Sequence, residues 1–501
     1  MIELFEHQKT GIEFLERTGK AILADEMGLG KTRQAIVAAK SAGGGTLIVC
    51  PASLKINWQR EIKMVYPDDE VHVINRHDEG ISDREKWIII NYDILQREMQ
   101  AIENLIENGW VENLILDEAH YIKGKTLRAA CIVGGSFKPK TKKLTSEEIE
   151  QIAMGGELKP ARTKYDGIAH KMKRIYCLTG TPLLNRPIEL YNLLRAIGHP
   201  LGNIRTYFAK RYCGAFLKVI PTRTKGVIRY MDETGATNLG ELREAIKGSM
   251  IRRKKEEVLN LPQRIVSTLD CELDKVWQKN YDTAWDLYID FLQKNPIPER
   301  NIDNIMMARH LVEITKLKQV CSQAKMERIM KDVENAIEQD EKVIIFSQYT
   351  NTINGLAAGL MKAGIRCRTL TGADDMDQRQ SSVDDFQKNP GTKVFIANIK
   401  AGGVGLNLTA ASIVIFADMD WSPEIHNQAI DRAHRIGQDK MVNAYFYVCS
   451  DTIEEDIVDI LNSKKNVLSK ILEGSDDSIK SASTQVEFLH RMSRKAGVDK
   501  V

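Results

Sequence analysis

Cysteine is sparse in this chain, with eight in 501 residues. They stand at Cys50, Cys131, Cys177, Cys213, Cys271, Cys321, Cys367 and Cys449, with no C-x-x-C pair among them. That spacing excludes a zinc module or a disulfide framework, and the thiols are expected reduced in the core. Charge of one sign is also lacking: 71 Lys and Arg against 68 Asp and Glu leave a net charge of +3. The overall field is too weak to mark a polyanion binder, so any such contact must come from local patches. No apolar run approaches the roughly 18 residues that cross a bilayer. The opening "MIELFEHQKTGIEFL" has no basic segment leading into a hydrophobic one. These absences predict a soluble intracellular protein with no membrane partner.

The length suits about three ordinary domains or two large ones. Short apolar strands alternate with helical stretches twice, first in "GTLIVCP", "WIIINYD" and "NLILDEAH" and again in "KVIIFSQ", "TKVFIAN" and "SIVIFAD". This rhythm predicts two parallel-sheet α/β lobes, residues 1–260 and 261–475. Between the strand series, "HLVEITKLKQVC" and "RIMKDVENAIEQ" have helical spacing and predict a helical insertion over about 270–340. A basic excursion is expected over about 134–168, a helical protrusion over about 200–255 and a closing helix over about 452–473. The Ser, Asp and Lys rich segment 476–501 reads as a loosely ordered tail.

The most informative stretch is "AILADEMGLGKTRQAIVAAK", which reads as strand, glycine loop and helix. Gly28 and Gly30 let backbone amides approach a phosphate, Lys31 suits the β and γ phosphates, and Thr32 suits magnesium at the helix start. Asp25 stands where the general phosphate-loop pattern has its first glycine, which leaves a plain glycine turn as the competing reading. Downstream, "NLILDEAH" puts Asp117 and Glu118 at the end of an apolar strand. There Asp117 can hold magnesium and Glu118 can orient or deprotonate an attacking water.

"DEMGLGKT" followed by "DEAH" resembles helicase superfamily two and, within it, the Swi/Snf family of DNA translocases, in which the first glycine is not required. The resemblance covers roughly residues 1–475. It implies two RecA-like lobes with an ATP cleft between them, ATP and Mg2+ as cofactors, and a nucleotide loop comprising Asp25, Glu26, Met27, Gly28, Leu29, Gly30, Lys31 and Thr32. "LFEHQKTGIEFL" is similar to the family's Q motif, with Gln8 on the adenine edge. "CPASLKINWQREI" offers Ser53 to a nucleic-acid phosphate, although Pro51 and Ser53 also suit a helix start. "LTGTPLLNRPIEL" resembles the third motif, where Thr179 and Thr181 would link ATP to nucleic acid or serve only as turn residues. "ANIKAGGVGLNLTAA" resembles the fifth, bringing Lys400 and Gly402 toward DNA and Gly405 toward nucleotide.

"DMDWSPEIHNQAIDRAHRIGQ" contains Q-A-x-x-R-x-x-R-x-G-Q, with Trp421 placed toward DNA and Gln428 toward nucleotide. Arg432 and Arg435 lie three apart, one turn if helical, and the resemblance makes them arginine fingers. "MIRRKKEEVLNLPQR" resembles the R-R-x-K element of Swi/Snf proteins, and "YFAKRYCGAF" with "NLGELREAIKGSM" points toward the annealing-helicase and fork-remodelling branch. Lys138, Lys140, Lys142 and Lys143, then Arg162, Lys164, Lys171, Lys173 and Arg174, offer phosphate contacts, with Glu147, Glu148 and Glu150 intervening. The expected partner is double-stranded or forked DNA held by its backbone, with a monomeric motor and a separate targeting protein. The expected activity is sequence-independent, ATP-dependent translocation on duplex DNA through lobe closure. Alternatives are a strand-separating RNA or single-stranded DNA helicase, and an ATP-gated clamp with little turnover.

Overall fold

The computed structural model describes residues 3–75, 86–137, 163–180, 186–222, 226–297, 304–402, 406–473 and 484–498. Two compact units are present, one of residues 1–26 and 30–254, the other of residues 27–29, 255–475 and 479–501. Each is built on a parallel sheet, as the apolar runs require. A strand such as Gly45–Cys50 or Val343–Ser347 is buried at every position, which is stable only where helices cover both faces.

In the first unit the strands are β1 (Lys20–Leu23), β2 (Gly45–Cys50), β3 (Val71–Val73), β4 (Trp87–Asn91) and β5 (Val111–Leu116). A small antiparallel pair follows, β6 (Gly135–Phe137) and β7 (Thr163–Tyr165), and then β8 (Arg174–Leu178). The sheet order is β11-β1-β8-β5-β2-β4-β3, where β11 (Met250–Ile251) closes the unit beside β1. This order sets the C-terminal ends of β1, β8 and β5 side by side. In open parallel sheets that edge is where ligands bind. Helices α1 (Glu6–Thr18), α2 (Lys31–Ala42) and α3 (Lys55–Val65) carry the motifs that surround it.

Two expectations for this unit are corrected. The protrusion over about 200–255 is not purely helical: the strands β9 (Phe216–Thr222) and β10 (Gly226–Asp232) form an antiparallel hairpin between the helices Arg205–Tyr212 and Leu239–Ile246. The β-branched Val219 and Val227 favour the extended backbone of these strands. The boundary between units falls after Lys254 rather than at 260, because Lys255 is tied to Asp431 and to the carbonyl of His434 within the second unit.

The second sheet is also parallel, in the order β12-β17-β16-β13-β15-β14. Its strands are β12 (Arg264–Cys271), β13 (Val343–Ser347), β14 (Cys367–Leu370), β15 (Val394–Asn398), β16 (Ile413–Phe416) and β17 (Val442–Cys449). Between β12 and β13 run the helices Lys275–Lys294, Asn304–Ala324 and Met326–Glu338. The helix Ile453–Glu473 follows β17. Within the tail expected to be loosely ordered, the described residues depart from that expectation: Thr484–Lys495 is a helix whose Phe488, Leu489 and Met492 are fully buried with Ile457 and Ile460. Ser and Asp rich residues ahead of it mask an amphipathic stretch. All eight cysteines are buried free thiols.

At the centre of this unit a fully buried Lys325 Nζ donates to both carboxylate oxygens of Glu454, at 2.8 and 2.7 Å, and to the Tyr447 carbonyl at 2.8 Å. Burial opposes the charge on Lys325, but the Glu454 carboxylate outweighs it and the ammonium titrates well above the usual lysine range. Lys325→Met should destabilise the second unit by about 3–5 kcal/mol, since it strands a buried carboxylate. Lys325→Met with Glu454→Leu should recover most of that loss. Urea unfolding of both variants measures the difference.

Candidate functional site

The chain leaves β1 into the glycine loop and enters α2 at Lys31. Gly28 and Gly30 have φ of +86° and +73°, a region costly for any residue with a side chain. Gly30 has a second reason to lack one: a Cβ there would lie 2.2 Å from Gln8 Nε2. Gln8 is buried on α1, where its Oε1 accepts the Phe5 N–H at 3.1 Å. Its amide thus both caps α1 and faces the loop. Lys31 Nζ donates to the carbonyls of Asp25 and Glu26 at 2.6 and 3.1 Å, holding the ammonium along the loop. Thr32 follows in the first turn of α2, and Met27 and Leu29 are buried. Loop amides and a helix N-terminus in this arrangement suit an anionic phosphate chain.

Asp25 lies fully buried, and its carboxylate faces protein donors. The Arg253 backbone N–H and Nε donate to Oδ1 at 3.1 and 2.9 Å, Arg253 Nη2 donates to Oδ2, and Gln34 Nε2 lies 3.4 Å from Oδ2. Asp25 therefore holds the loop's entrance in place.

At the end of β5, the Asp117 N–H bonds the Val49 carbonyl at 2.9 Å, extending the ladder with β2. Both Asp117 carboxylate oxygens are occupied: Trp58 Nε1 donates to Oδ2 at 2.7 Å and the Glu118 N–H to Oδ1 at 2.9 Å. Tyr92 Oη donates to the Asp117 carbonyl at 2.9 Å. Burial raises the Asp117 carboxyl to about 6, with the Glu118 charge adding to the rise and Trp58, the Glu118 N–H and Lys31 opposing it. A cation beside this group would restore its ionised form, and Thr32 and Asp117 are both hard oxygen donors of the kind magnesium takes. Glu118 has left-handed φ and ψ of 47° and 52°, and its Oε2 lies 3.2 Å from His120 Nδ1. A non-glycine residue in that region is strained, a common feature of reacting groups.

Between these strands, Thr179 follows β8, fully buried, with its N–H bonded to the Leu23 carbonyl of β1 at 3.1 Å. The edge of the sheet thus sets the glycine loop, Thr179 and the Asp117–Glu118 pair in one row. Thr181 lies outside the described residues. Ser53 is half-buried in a short 3₁₀ turn, Ala52–Leu54, ahead of α3.

In the second unit, the helix Pro423–Ile430 ends before the two arginines, so the expectation that they share a helical turn is corrected. Arg432 and Arg435 occupy tight turns in which the N–H groups of Ala433 and His434 both bond the Ile430 carbonyl at 3.0 Å. Buried Gln438 clamps this segment by donating to the carbonyls of Thr409, Ala411 and Ala433. Lys255 Nζ clamps it again through Asp431 Oδ1 at 2.7 Å and the His434 carbonyl at 2.6 Å. Gln428 is half-buried on the preceding helix.

The remaining DNA candidates are structurally varied. Lys400 is exposed, 3.5 Å from Asp420 Oδ2. Gly402 has a packing reason, since a Cβ would lie 2.7 Å from Ala397 Cβ and 3.0 Å from Phe346. Trp421 receives the Lys318 ammonium at 4.8 Å from its ring centroid and meets Phe488 edge-on. Gly405, Lys138, Lys140, Lys142, Lys143, Glu147, Glu148, Glu150 and Arg162 lie outside the described residues. Of the basic residues beyond them, Lys171 pairs with Glu103 and Glu107, and Lys173 with Glu112.

The sequence reading missed Trp58, Gln34, Arg253, Lys255 and Gln438 as site residues. For Trp58 the available signal was a tryptophan within an apolar helix face, since a buried indole N–H needs an acceptor.

Two family models match the chain: the SNF2-related domain over residues 7–144 and 152–326, and the helicase conserved C-terminal domain over 322–437. The DNA annealing helicase and endonuclease ZRANB3 of Bos taurus is 30% identical over 486 residues, covering 95% of this chain and 41% of that protein. The SWI/SNF-related matrix-associated actin-dependent regulator of chromatin subfamily A-like protein 1 homolog of Caenorhabditis elegans is 29% identical over 490 residues, 94% of this chain and 62% of that protein. A solved structure, the Sulfolobus solfataricus SWI2/SNF2 ATPase core in complex with dsDNA, is 22% identical with a TM-score of 0.39, covering 95% of this chain and 94% of that one. This chain thus spans less than half the length of ZRANB3 and less than two thirds of the nematode protein.

Trp58→Phe keeps an aromatic ring but deletes the donor to Asp117. It should weaken magnesium-dependent nucleotide binding by about 10-fold to 100-fold, the usual cost of losing a group that orients a metal ligand. Magnesium titrations of nucleotide binding measure it.

Proposed function

This chain belongs to the SNF2-related family, and on that premise we propose that it is an ATPase driven by double-stranded DNA that tracks along the duplex without sequence preference. The observation that carries the reading is the row formed at the ends of β1, β8 and β5: the glycine loop with Lys31, then Thr179, then Asp117 and Glu118. Phosphoryl transfer needs little beyond positioning and charge stabilisation, and these residue types supply both. Lys31 and the loop amides bind the triphosphate. Thr32 and Asp117 would hold magnesium, which would offset the charge of the phosphates. Glu118 orients the attacking water and accepts its proton.

Arg432 and Arg435, from the second unit, complete the charge on the transferring group, an effect worth about 10³ to 10⁵ in rate. Hydrolysis then requires both units to engage one nucleotide, and ATP turnover alternates that engagement with release, which is the basis of stepping. Ser53, Thr179 and Lys400 are the candidate contacts to the DNA backbone. ZRANB3 is named a DNA annealing helicase and endonuclease, which makes DNA with strands free to anneal, such as a fork, a substrate to test beside blunt duplex.

The test is steady-state ATP hydrolysis at one fixed salt concentration with no nucleic acid, single-stranded DNA, blunt duplex, a fork and RNA. Duplex stimulation is expected, and stimulation by single strands or RNA alone would replace this reading with strand separation. Glu118→Gln should retain ATP and duplex binding while turnover falls by about 10²-fold or more. Duplex affinity should drop steeply with salt, because phosphate contacts release counterions.

A further inference from the structure

Arg253 and Lys255 are two residues apart, and each is spent inside a different unit. Arg253 makes a forked ion pair with fully buried Asp25 at the entrance of the nucleotide loop. Its Nη2 also donates to Gln34 Oε1 on α2 at 2.9 Å, and its Nη1 to the His7 carbonyl on α1. The backbone joins in: the Ala24 N–H bonds the Ile251 carbonyl at 2.8 Å and the Glu26 N–H bonds the Arg253 carbonyl at 3.0 Å. The parallel pairing of β1 with β11 therefore continues into the loop. Gly11 leaves the room for this, since a Cβ there would fall 1.8 Å from Gln34 Oε1 and 2.7 Å from Arg253 Nη2. A lysine could not replace the planar fork, which meets several acceptors at fixed angles.

Lys255 does the corresponding work in the second unit. Its ammonium, buried like Asp25, joins the Asp431 carboxylate and the His434 carbonyl, the residues immediately before Arg432 and Arg435. Asp431 Oδ1 has a second cation, Arg264 Nη1, at 3.5 Å.

We propose that Arg253 and Lys255 are the positioning residues of the two halves of the ATPase, Arg253 for the nucleotide loop and Lys255 for the arginine turn. This rests on the ATPase reading above. Asp25 stands in place of the first glycine because the ion pair with Arg253 fixes the loop entrance. A three-residue segment of chain thereby sets the geometry of nucleotide binding at one end and of charge stabilisation at the other.

The two roles separate kinetically. Arg253→Met should raise the Kd for a fluorescent Mg-ATP analogue, and the KM for ATP, by about tenfold while kcat changes much less. Lys255→Met should lower kcat by about tenfold with that Kd little changed. Asp25→Gly combined with Arg253→Met removes both charges of the pair and restores the general loop pattern, so it should bind the analogue more tightly than Arg253→Met alone. Arg253→Lys, which keeps the charge without the fork, should fall between wild type and Arg253→Met, and it carries the test if Arg253→Met does not fold. Melting temperatures are recorded for every variant. Parallel losses of Kd, kcat and thermal stability in both variants, or unchanged Kd in the folded Arg253 variants, would overturn the assignment. Failure of the wild type to hydrolyse ATP with any nucleic acid would instead sink the ATPase reading, while the analogue Kd still reports on Arg253.

Discussion

A carboxylate shut away from water must be met by donors, or it will not remain charged. Asp25 has no exposed surface and four donor contacts, three from Arg253 and one from Gln34. Much of the first unit's arrangement around the glycine loop follows from this requirement. Arg253 must reach the loop, so the chain leaving the unit must run beside β1, which is what β11 does. Gln34 must face inward from α2, and α1 must pass close enough for its His7 carbonyl to accept Arg253, which is possible because Gly11 lacks a side chain. The first and last elements of the unit and the helix after the loop are fastened together at one carboxylate.

Asp117 is managed differently. No cationic side chain pairs directly with it among the described residues; its oxygens meet two neutral donors, the Trp58 indole and the Glu118 amide. Neutral donors fix the orientation of a carboxylate without cancelling its charge, so burial and the adjacent Glu118 still lift its carboxyl to about 6. A group left undercompensated in this way is ready for a cation, whereas Asp25 with its guanidinium is not. Trp58 comes from α3, directly after the Ser53 turn, so the segment proposed to meet a DNA phosphate also carries the indole that orients the Asp117 carboxylate.

What was legible in the sequence was what depends on neighbours in the chain. Runs such as "VIIFS" and "WIIIN" specify doubly covered strands by composition alone, and both have a strand on each side in parallel sheets. The glycine loop was legible because backbone conformation and helix start are local. Arg253 was not, because its partner lies 228 positions away, and neither was Trp58, 59 positions from Asp117. The hairpin β9–β10 had a local signal in its paired β-branched residues, but it lay inside a stretch read from its helical flanks. The last helix had one too, in the spacing of Phe488, Leu489 and Met492, which the polar residues before it obscured.

The arginine string shows how a spacing can be right for a reason other than helical periodicity. Arg432 and Arg435 do not ride on the helix, which ends at Ile430. Turns are poor at fixing long side chains unless their backbone is held from outside. Here the two N–H groups of Gln438 Nε2 are shared among the Thr409, Ala411 and Ala433 carbonyls, and Lys255 binds Asp431 and the carbonyl of His434. Gln438 and Asp431 are therefore as integral to the string as its arginines. A helix would fix the two guanidinium groups relative to its own axis, whereas a clamped turn fixes them relative to β12 and to the chain entering it, since His434 Nε2 also bonds the Pro262 carbonyl at 2.8 Å. The position of the arginines is thereby made to depend on the segment that enters the second unit, the same segment whose other end holds Asp25.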